Sequence, residues 1–373
     1  MTVVEFESER WYADRGRGPV GMEPLDALGA IEIVRVDFDE GEPALYTLLR
    51  GEPRWDEVFA DASGHFFAEG EAPRGAAARL DVDQSHSSWR VGDALVKCYR
   101  RLVPGLHPEV ELGRALTADL PEHVAAVRAA LHWAPRGGAP VALAVVQEFV
   151  DEAEEGWEWA AARAMRGDAG FARATGAVAR RLHEALARAF PTRESTPDDR
   201  RAWRLAAEAE LAGALEPAAE ELSGEVERVR NELARLESDR PVPLARVHGD
   251  LHLGQFLHAP GRTVVVDFEG QPTRSPDERR ALDTQLRDLA SLARSIDHCG
   301  RYAVKRHGAD PAVVEAWIGE ARRELLAGYG PHDAALLRAL EFERAVYEFT
   351  YASRYLPEWL YAPREGLVAL LET

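Results

Sequence analysis

Two short motifs near the middle of the chain constrain its fold and chemistry more than any other feature. The first, at residues 247–255, reads VHGDLHLGQ, and the second, at residues 264–270, reads VVVDFEG. Residues 263–266 are β-branched, which predicts a buried strand that ends at Asp267. The first motif predicts a turn that holds Asp250, and an amide side chain, Gln255, follows it closely.

These residue types are the ones that phosphoryl transfer needs. An aspartate such as Asp250 orients the attacking hydroxyl and accepts its proton. An amide oxygen from Gln255 and a carboxylate from Asp267 are suited to hold Mg²⁺ against nucleotide phosphates. A capped turn before a core strand would explain Asp250 alone, but not the three groups together. We therefore interpret Asp250 as the catalytic base and the other two residues as metal ligands.

The two motifs, with a third at residues 286–290 that reads LRDLA, resemble a known branch of the protein-kinase-like fold. This is the aminoglycoside-phosphotransferase-like branch, and within it the sequence is similar to maltokinases and actinobacterial glucosamine kinases. The resemblance covers the chain from about residue 84 to its C-terminus. It implies a bilobal α+β fold, with ATP and Mg²⁺ as cofactors. Gln255 stands where the wider family has Asn, and the maltokinase-like branch shares that departure.

Strand and helix patterns predict three segments. Residues 1–78 read as a β-rich cap, with a hairpin over residues 30–49. Residues 79–150 read as an ATP-binding lobe of strands and one helix, which ends in a hinge. Residues 151–373 read as a mostly helical lobe that carries the catalytic and acceptor sites.

Charge and composition narrow the class of protein. The net charge of −19 argues against a nucleic-acid partner, because binding phosphate backbones requires a basic surface. No apolar run is long enough to span a bilayer and no export signal is evident, so we expect a cytoplasmic protein. Cys98 and Cys299 offer neither metal-binding spacing nor a disulfide framework. Oligomeric state is left open.

Lysine is almost absent from the chain, which makes Lys97 informative. Lys97 and Lys305 are the only two lysines, and arginine supplies the remaining positive charge. The resemblance implies that Lys97 holds the α- and β-phosphates of ATP and pairs with a glutamate of the following helix. We favour Glu111 as that partner, with Glu109 as the alternative.

The resemblance also implies a phosphate-binding turn and a hinge that contacts adenine. The turn spans residues 84–88 and lacks the GxGxxG pattern of protein kinases. Side chains and backbone N–H groups can still bind phosphate there. The predicted nucleotide-binding residues are, in the turn, Gln84, Ser85 and Ser87, and, in the hinge, Gln147, Glu148 and Val150.

Candidates for the acceptor site lie near the motifs and in a helix close to the C-terminus. Aromatic rings and carboxylates are typical of carbohydrate sites, although an ordinary amphipathic helix would show the same pattern. The candidates are His252, Glu269, Asp297, Glu343, Tyr347, Glu348, Tyr351 and Trp359. We interpret His248 as a structural hydrogen-bonding residue, His183 as a packed core histidine, and residues 287–288 as a brace for the catalytic loop.

On this reasoning we favour transfer of the γ-phosphate of ATP to a free sugar. Glucosamine, giving glucosamine 6-phosphate, is favoured by the compact chain, the short N-terminal segment and the acidic character. Maltose, giving maltose 1-phosphate, is the alternative. An aminoglycoside phosphotransferase and a non-catalytic nucleotide-binding pseudokinase are further alternatives. The intact set of Asp250, Gln255, Asp267 and Lys97 argues against the pseudokinase.

Overall fold

The computed structural model describes residues 6, 11–14, 17–80, 86–222, 225–271 and 274–372. The chain divides into two compact units, Met1–Asp151 and Glu152–Thr373. The first unit is rich in strands and the second is mostly helical, as the α+β prediction requires. None of the described helices combines the length and the apolar character needed to cross a bilayer.

The first unit is built on two antiparallel sheets. One sheet has the strand order β1-β2-β3-β8 and the other β4-β9-β10-β7-β6-β5. The helices α1 (Trp55–Ala60) and α2 (Pro108–Asp119) accompany them. The strands are β1 (Pro19–Leu28), β2 (Ile31–Phe38), β3 (Ala44–Leu49), β4 (Phe66–Gly70), β5 (Ala77–Leu80), β6 (His86–Val91), β7 (Ala94–Tyr99), β8 (Arg101–Leu102), β9 (Val127–Trp133) and β10 (Val141–Glu148).

The predicted boundary at residue 78 falls inside β5, and the segment before it is not a separate body. β4, from the predicted cap, pairs with β9 of the six-stranded sheet. Because side chains alternate along a strand, β2 contributes to two cores. Ile31 and Ile33 join the core of the six-stranded sheet, whereas Val34 and Val36 join an aromatic core on the other side. The predicted cap and the predicted lobe therefore share one core.

The second unit packs helices around a long buried helix, α8 (Leu286–His307). Its helices are α3 (Gly156–Ala164), α4 (Ala172–Ala189), α5 (Pro197–Leu222), α6 (Val226–Leu233), α7 (Pro276–Arg280), α8, α9 (Pro311–Tyr329), α10 (Ala334–Tyr355) and α11 (Tyr361–Glu372). Its strands are β11 (Glu154–Glu155), β12 (Arg193–Glu194), β13 (Pro243–Leu244), β14 (Phe256–Ala259) and β15 (Arg262–Val265). Short 3₁₀ turns cover Ala234–Leu236, Leu253–Gln255 and Pro357–Trp359.

Glycines allow α4 and α9 to approach closely. A Cβ atom on Gly176 of α4 would lie 2.0 Å from the carbonyl oxygen of Leu325, and one on Gly328 of α9 would lie 2.0 Å from that of Arg173. Neither backbone can move aside without breaking helical hydrogen bonds. The contact therefore requires glycine at both positions.

We predict that Gly176→Ala lowers the free energy of unfolding by about 1–3 kcal/mol, because the new methyl group meets backbone atoms. Gly319→Ala is the matched control on α9, since only the flexible end of Arg323 lies near that position, at 3.9 Å. The control should raise stability by up to about 1 kcal/mol, as alanine favours a helix over glycine. Urea midpoints measure both changes, and equal midpoints for Gly176→Ala and wild type would contradict the packing argument.

Candidate active site

A buried carboxylate fixes the backbone of the catalytic loop. Asp288, in the first turn of α8, accepts hydrogen bonds from the N–H groups of His248 at 2.7 Å and Gly249 at 2.9 Å. Nε2 of His183 lies 3.1 Å from the same carboxylate. Burial alone would raise the pKa of Asp288, but His183, His248 and the Gly249 N–H outweigh it and lower that pKa. The carboxylate is therefore charged, and Asp288 binds the loop as predicted, whereas Arg287, the other residue of the predicted brace, pairs with Asp283 and Glu343.

Two further contacts shape the loop. Nε2 of His248 lies 3.0 Å from the carbonyl oxygen of Val266, which agrees with the structural role predicted for this histidine. Gly249 has φ +86°, a conformation that favours glycine, and a Cβ there would lie 3.3 Å from Cα of Gly270. His183 is buried, as predicted, but its contact with Asp288 makes it part of the brace.

The side chain of Asp250 has one oxygen held by an arginine. Oδ1 accepts a hydrogen bond from Nη2 of Arg344 at 3.2 Å, and Oδ2 lies 4.0 Å from Nε2 of His252. The side chain is 18% exposed, so it is sheltered but accessible. This arrangement suits a base that must meet a hydroxyl in a defined direction.

A short hairpin brings the predicted metal ligands together. β14 pairs with β15, and the N–H of Val266 donates to the carbonyl oxygen of Gln255 at 2.9 Å, which extends the ladder by one step. The Gln255 amide consequently lies 3.4 Å from Oδ2 of Asp267. Two adjacent ligands of one Mg²⁺ ion are roughly 3 Å apart. The pair therefore fits a magnesium site.

His252 orients the amide of Gln255. Its Nδ1 accepts a hydrogen bond from the N–H of Gly254 at 3.1 Å, and its Nε2 lies 3.2 Å from the Gln255 amide. Burial lowers the pKa of His252. The amide atom that lies between His252 and Asp267 is Nε2 of Gln255, which donates to Oδ2 of Asp267 at 3.4 Å. His252, predicted to line the acceptor site, thus contacts Gln255, a predicted metal ligand, and its contact with the acceptor stays a prediction.

Asp267 and Glu269 lie together because of a turn that follows β15. Asp267 has φ +66°, and residues 268–269 form a turn. Aspartate tolerates this left-handed conformation better than most residues. The turn brings carboxylate oxygens of the two residues within 4.8 Å of one another. Glu269 thus stays a candidate for the metal or the substrate.

In the first unit, the predicted lysine forms a buried ion pair. Nζ of Lys97 lies 2.8 Å from Oε1 of Glu109, and both side chains are buried. The preference for Glu111 was therefore wrong, because residues two apart on a helix point in nearly opposite directions. Tyr99 and Gln147 also donate to the Glu109 carboxylate, at 3.3 and 3.1 Å.

The other predicted nucleotide residues have mixed outcomes. Gln84 and Ser85 lie outside the described residues. Ser87 was predicted in a turn but is buried in β6, where its Oγ accepts from Nε of Arg100 at 3.0 Å. Gln147 and Glu148 end β10, the N–H of Glu148 donates to Ala126, and Val150 follows the strand. Their contact with adenine stays a prediction.

A cavity of about 320 Å³ lies beside the catalytic loop, within the second unit. Loop residues Val247 and Gly249 and the brace Asp288 form part of its wall. Glu343 and Tyr347 of α10, both predicted acceptor residues, line it as well. Five acidic and three basic side chains line the cavity: Glu210, Glu278, Asp283, Asp288 and Glu343, with Arg274, Arg287 and Arg344. The lining therefore favours a cation.

Two predicted acceptor residues, Asp297 and Trp359, have structural partners away from this cavity. Asp297 binds Arg301 and lies against Gly366 of α11. Trp359 stacks on Tyr302, which is roughly 20 Å along α8 from the brace at 1.5 Å per residue. Neither side chain lines this cavity, and their contact with substrate stays a prediction. Tyr351 is 38% exposed and lies one turn beyond Tyr347.

Glu348 contacts Arg344 at 3.1 Å, and Arg344 in turn contacts Asp250. Sequence reasoning did not single out Arg344, nor the cavity residues Asp283, Arg274 and Gln271. The i, i+4 spacing of Arg344 and Glu348 was the available signal. Nothing in the sequence, however, indicated that the arginine reaches the catalytic loop.

Comparison with known proteins was made on sequence and on fold. A sequence profile described as the phosphotransferase enzyme family, APH, matches residues 77–270. The chain is 34% identical over 334 residues to a glucosamine kinase of Streptacidiphilus jiangxiensis, which covers 81% of this chain and 75% of the relative. It is 32% identical over 332 residues to a glucosamine kinase of Mycolicibacterium smegmatis, and the match covers 82% of this chain and 80% of the relative.

Solved structures of glucosamine kinase are similar over nearly the whole chain. One aligns with a TM-score of 0.79 at 27% identity and covers 99% of both chains. Another, in complex with glucosamine, ADP and inorganic phosphate, aligns with a TM-score of 0.78 at 28% identity and covers 100% of this chain and 99% of the other. These matches confirm the fold that the sequence motifs implied.

We predict that Asp267→Ala abolishes productive binding of Mg·ATP, because a carboxylate contributes most of the charge at the metal site. Gln255→Ala should weaken binding less, since an amide is neutral. Isothermal titration with Mg·ATP measures both effects, and Asn at position 267 serves as the size-matched control. Unchanged affinity in Asp267→Ala would remove this residue from the metal site.

Proposed function

Because the chain belongs to the phosphotransferase enzyme family, we propose that it is an ATP- and Mg²⁺-dependent kinase that converts glucosamine to glucosamine 6-phosphate. One observation carries the proposal: the loop that holds Asp250 is fixed by Asp288, and its residues Val247 and Gly249 line a cavity with an acidic lining. Both sequence relatives described above are named glucosamine kinase. A sugar and ATP meet in the cytoplasm, which is where we propose that the protein acts.

The chain's own groups divide the work of the reaction. ATP supplies the phosphoryl group, and a bound Mg²⁺ would neutralise the charge of its phosphates. Asp250 orients the sugar hydroxyl and accepts its proton, while Gln255 and Asp267 hold the metal. Lys97, kept in place by Glu109, is suited to hold the α- and β-phosphates. Orientation matters more than strong basicity in a loose phosphoryl-transfer transition state.

Glu343 is the acceptor residue best placed to meet the ammonium group of glucosamine. Burial raises the pKa of Glu343, Asp283 adds to the effect and Arg287 opposes it. Because burial disfavours the charged form of the Glu343 carboxylate, a further cation nearby would stabilise that form. Sugar hydroxyls have further polar partners in the same wall, including Tyr347 and Gln271.

We predict that Asp250→Asn lowers kcat by on the order of 10²–10⁴ with a smaller effect on KM, because it removes proton acceptance and keeps the shape of the side chain. A coupled ADP-release assay with glucosamine measures both constants. An Asn variant with wild-type turnover would remove Asp250 from the mechanism.

We predict that glucosamine is preferred over glucose, maltose and kanamycin in an ATP-dependent assay. Glu343→Gln should raise the KM for glucosamine by about 10- to 150-fold, which corresponds to the 1.5–3 kcal/mol of a charge-assisted hydrogen bond. The KM for glucose in the same variant is the internal control and should change little. Faster turnover of maltose would replace glucosamine with the alternative substrate, and equal rates for glucose and glucosamine would show that no carboxylate recognises the amine.

A further inference from the structure

We propose that Arg344 is a positioning residue for Asp250. It holds one carboxylate oxygen, so that the other faces the acceptor hydroxyl. The inference rests on the proposed function, because it assigns a role in that same reaction. None of the sequence motifs pointed to it.

The contacts of Arg344 form a fork between two carboxylates. Nη2 donates to Oδ1 of Asp250 at 3.2 Å, and Nε donates to Oε1 of Glu348 at 3.1 Å. Arg344 and Glu348 are one turn apart on α10, whereas Asp250 lies 94 residues away in the chain. The side chains of Arg344, Asp250 and Glu348 are 20%, 18% and 12% exposed. The fork is thus largely shielded from water, which strengthens its ionic contacts.

Glu348 also lies close to two nitrogen-bearing side chains of α8, Arg294 and His298. Its Oε2 lies 3.3 Å from Nε2 of His298 and 3.5 Å from Nε of Arg294, which are ion-pair distances. Burial works against the charged form of Glu348, but His298, Arg294 and Arg344 outweigh it and lower its pKa. Glu348 is consequently a fixed negative charge that keeps Arg344 in one orientation.

Only arginine can make this connection. Its planar guanidinium places Nε and Nη2 on one edge, so it can bind two carboxylates at once with a single rotamer. Lysine carries its three N–H groups on one nitrogen, so it cannot place two separate nitrogens toward Asp250 and Glu348 as arginine does. Loss of one contact would leave the Asp250 carboxylate free to rotate. A misplacement of about 1 Å at a catalytic group can cost 10²-fold in rate.

The test compares Arg344→Lys with Arg338→Lys, a matched control on the same helix whose arginine contacts Leu370 and Glu232. Arg344→Lys should lower kcat by about 10- to 100-fold and change the KM for glucosamine less than threefold. The control should retain wild-type constants. A raised KM with unchanged kcat would instead make Arg344 a substrate ligand and overturn the proposal, as would full activity in Arg344→Lys.

Chemical rescue separates positioning from a folding defect. Ethylguanidinium added to Arg344→Ala should restore part of kcat, whereas Arg338→Ala should show no such response. If Arg344→Ala does not fold, the lysine variant and the double-mutant comparison below decide the matter. Absence of rescue in a folded Arg344→Ala would overturn the proposal.

A double-mutant cycle tests the link to Glu348. The loss of kcat in Arg344→Lys combined with Glu348→Gln should be close to that of Arg344→Lys alone, because both changes act through one fork. If the kcat loss of the double variant equalled the product of the losses in the two single variants, the link between Arg344 and Glu348 would be overturned. Wild-type protein that shows no ATP-dependent phosphorylation of glucosamine would refute the proposed function instead, so the two failures are distinguishable.

Discussion

The rest of the catalytic unit depends on two hydrogen bonds to one buried carboxylate. Asp288 accepts from the N–H groups of His248 and Gly249, and those groups have no strand or helix to satisfy them. An unpaired buried N–H group or carboxylate would be costly, and each supplies what the other lacks. The loop conformation that presents Asp250 follows from this exchange.

Helix α8 contacts the groups that position both the backbone and the side chain of Asp250, the candidate catalytic aspartate. Its first turn binds the loop backbone through Asp288, and later turns hold Glu348 through Arg294 and His298. Because α8 is buried and tightly packed, it holds the backbone and the side chain of Asp250 in a fixed position relative to each other. In the first unit a buried carboxylate likewise collects several donors, since Lys97, Tyr99 and Gln147 all donate to Glu109.

The sequence was most informative where chemistry depends on neighbours in the chain. The turn with Asp250, the strand before Asp267 and the hairpin of β2 and β3 all follow from local patterns. The choice between Glu109 and Glu111 required the rotation of α2 relative to β7, which no residue pattern gives. Arg344 reaches Asp250 through packing of α10, and Trp359 is drawn to Tyr302 by stacking. Contacts of that kind depend on tertiary structure.

The hairpin of β14 and β15 has a consequence for the order of assembly. Gln255 and Asp267 are 12 residues apart in sequence, whereas Asp250 and Arg344 are 94 apart. Closing a short loop costs less chain entropy than closing a long one, and local contacts form first. The contact between Gln255 and Asp267 is therefore expected to form before Arg344 of α10 reaches Asp250.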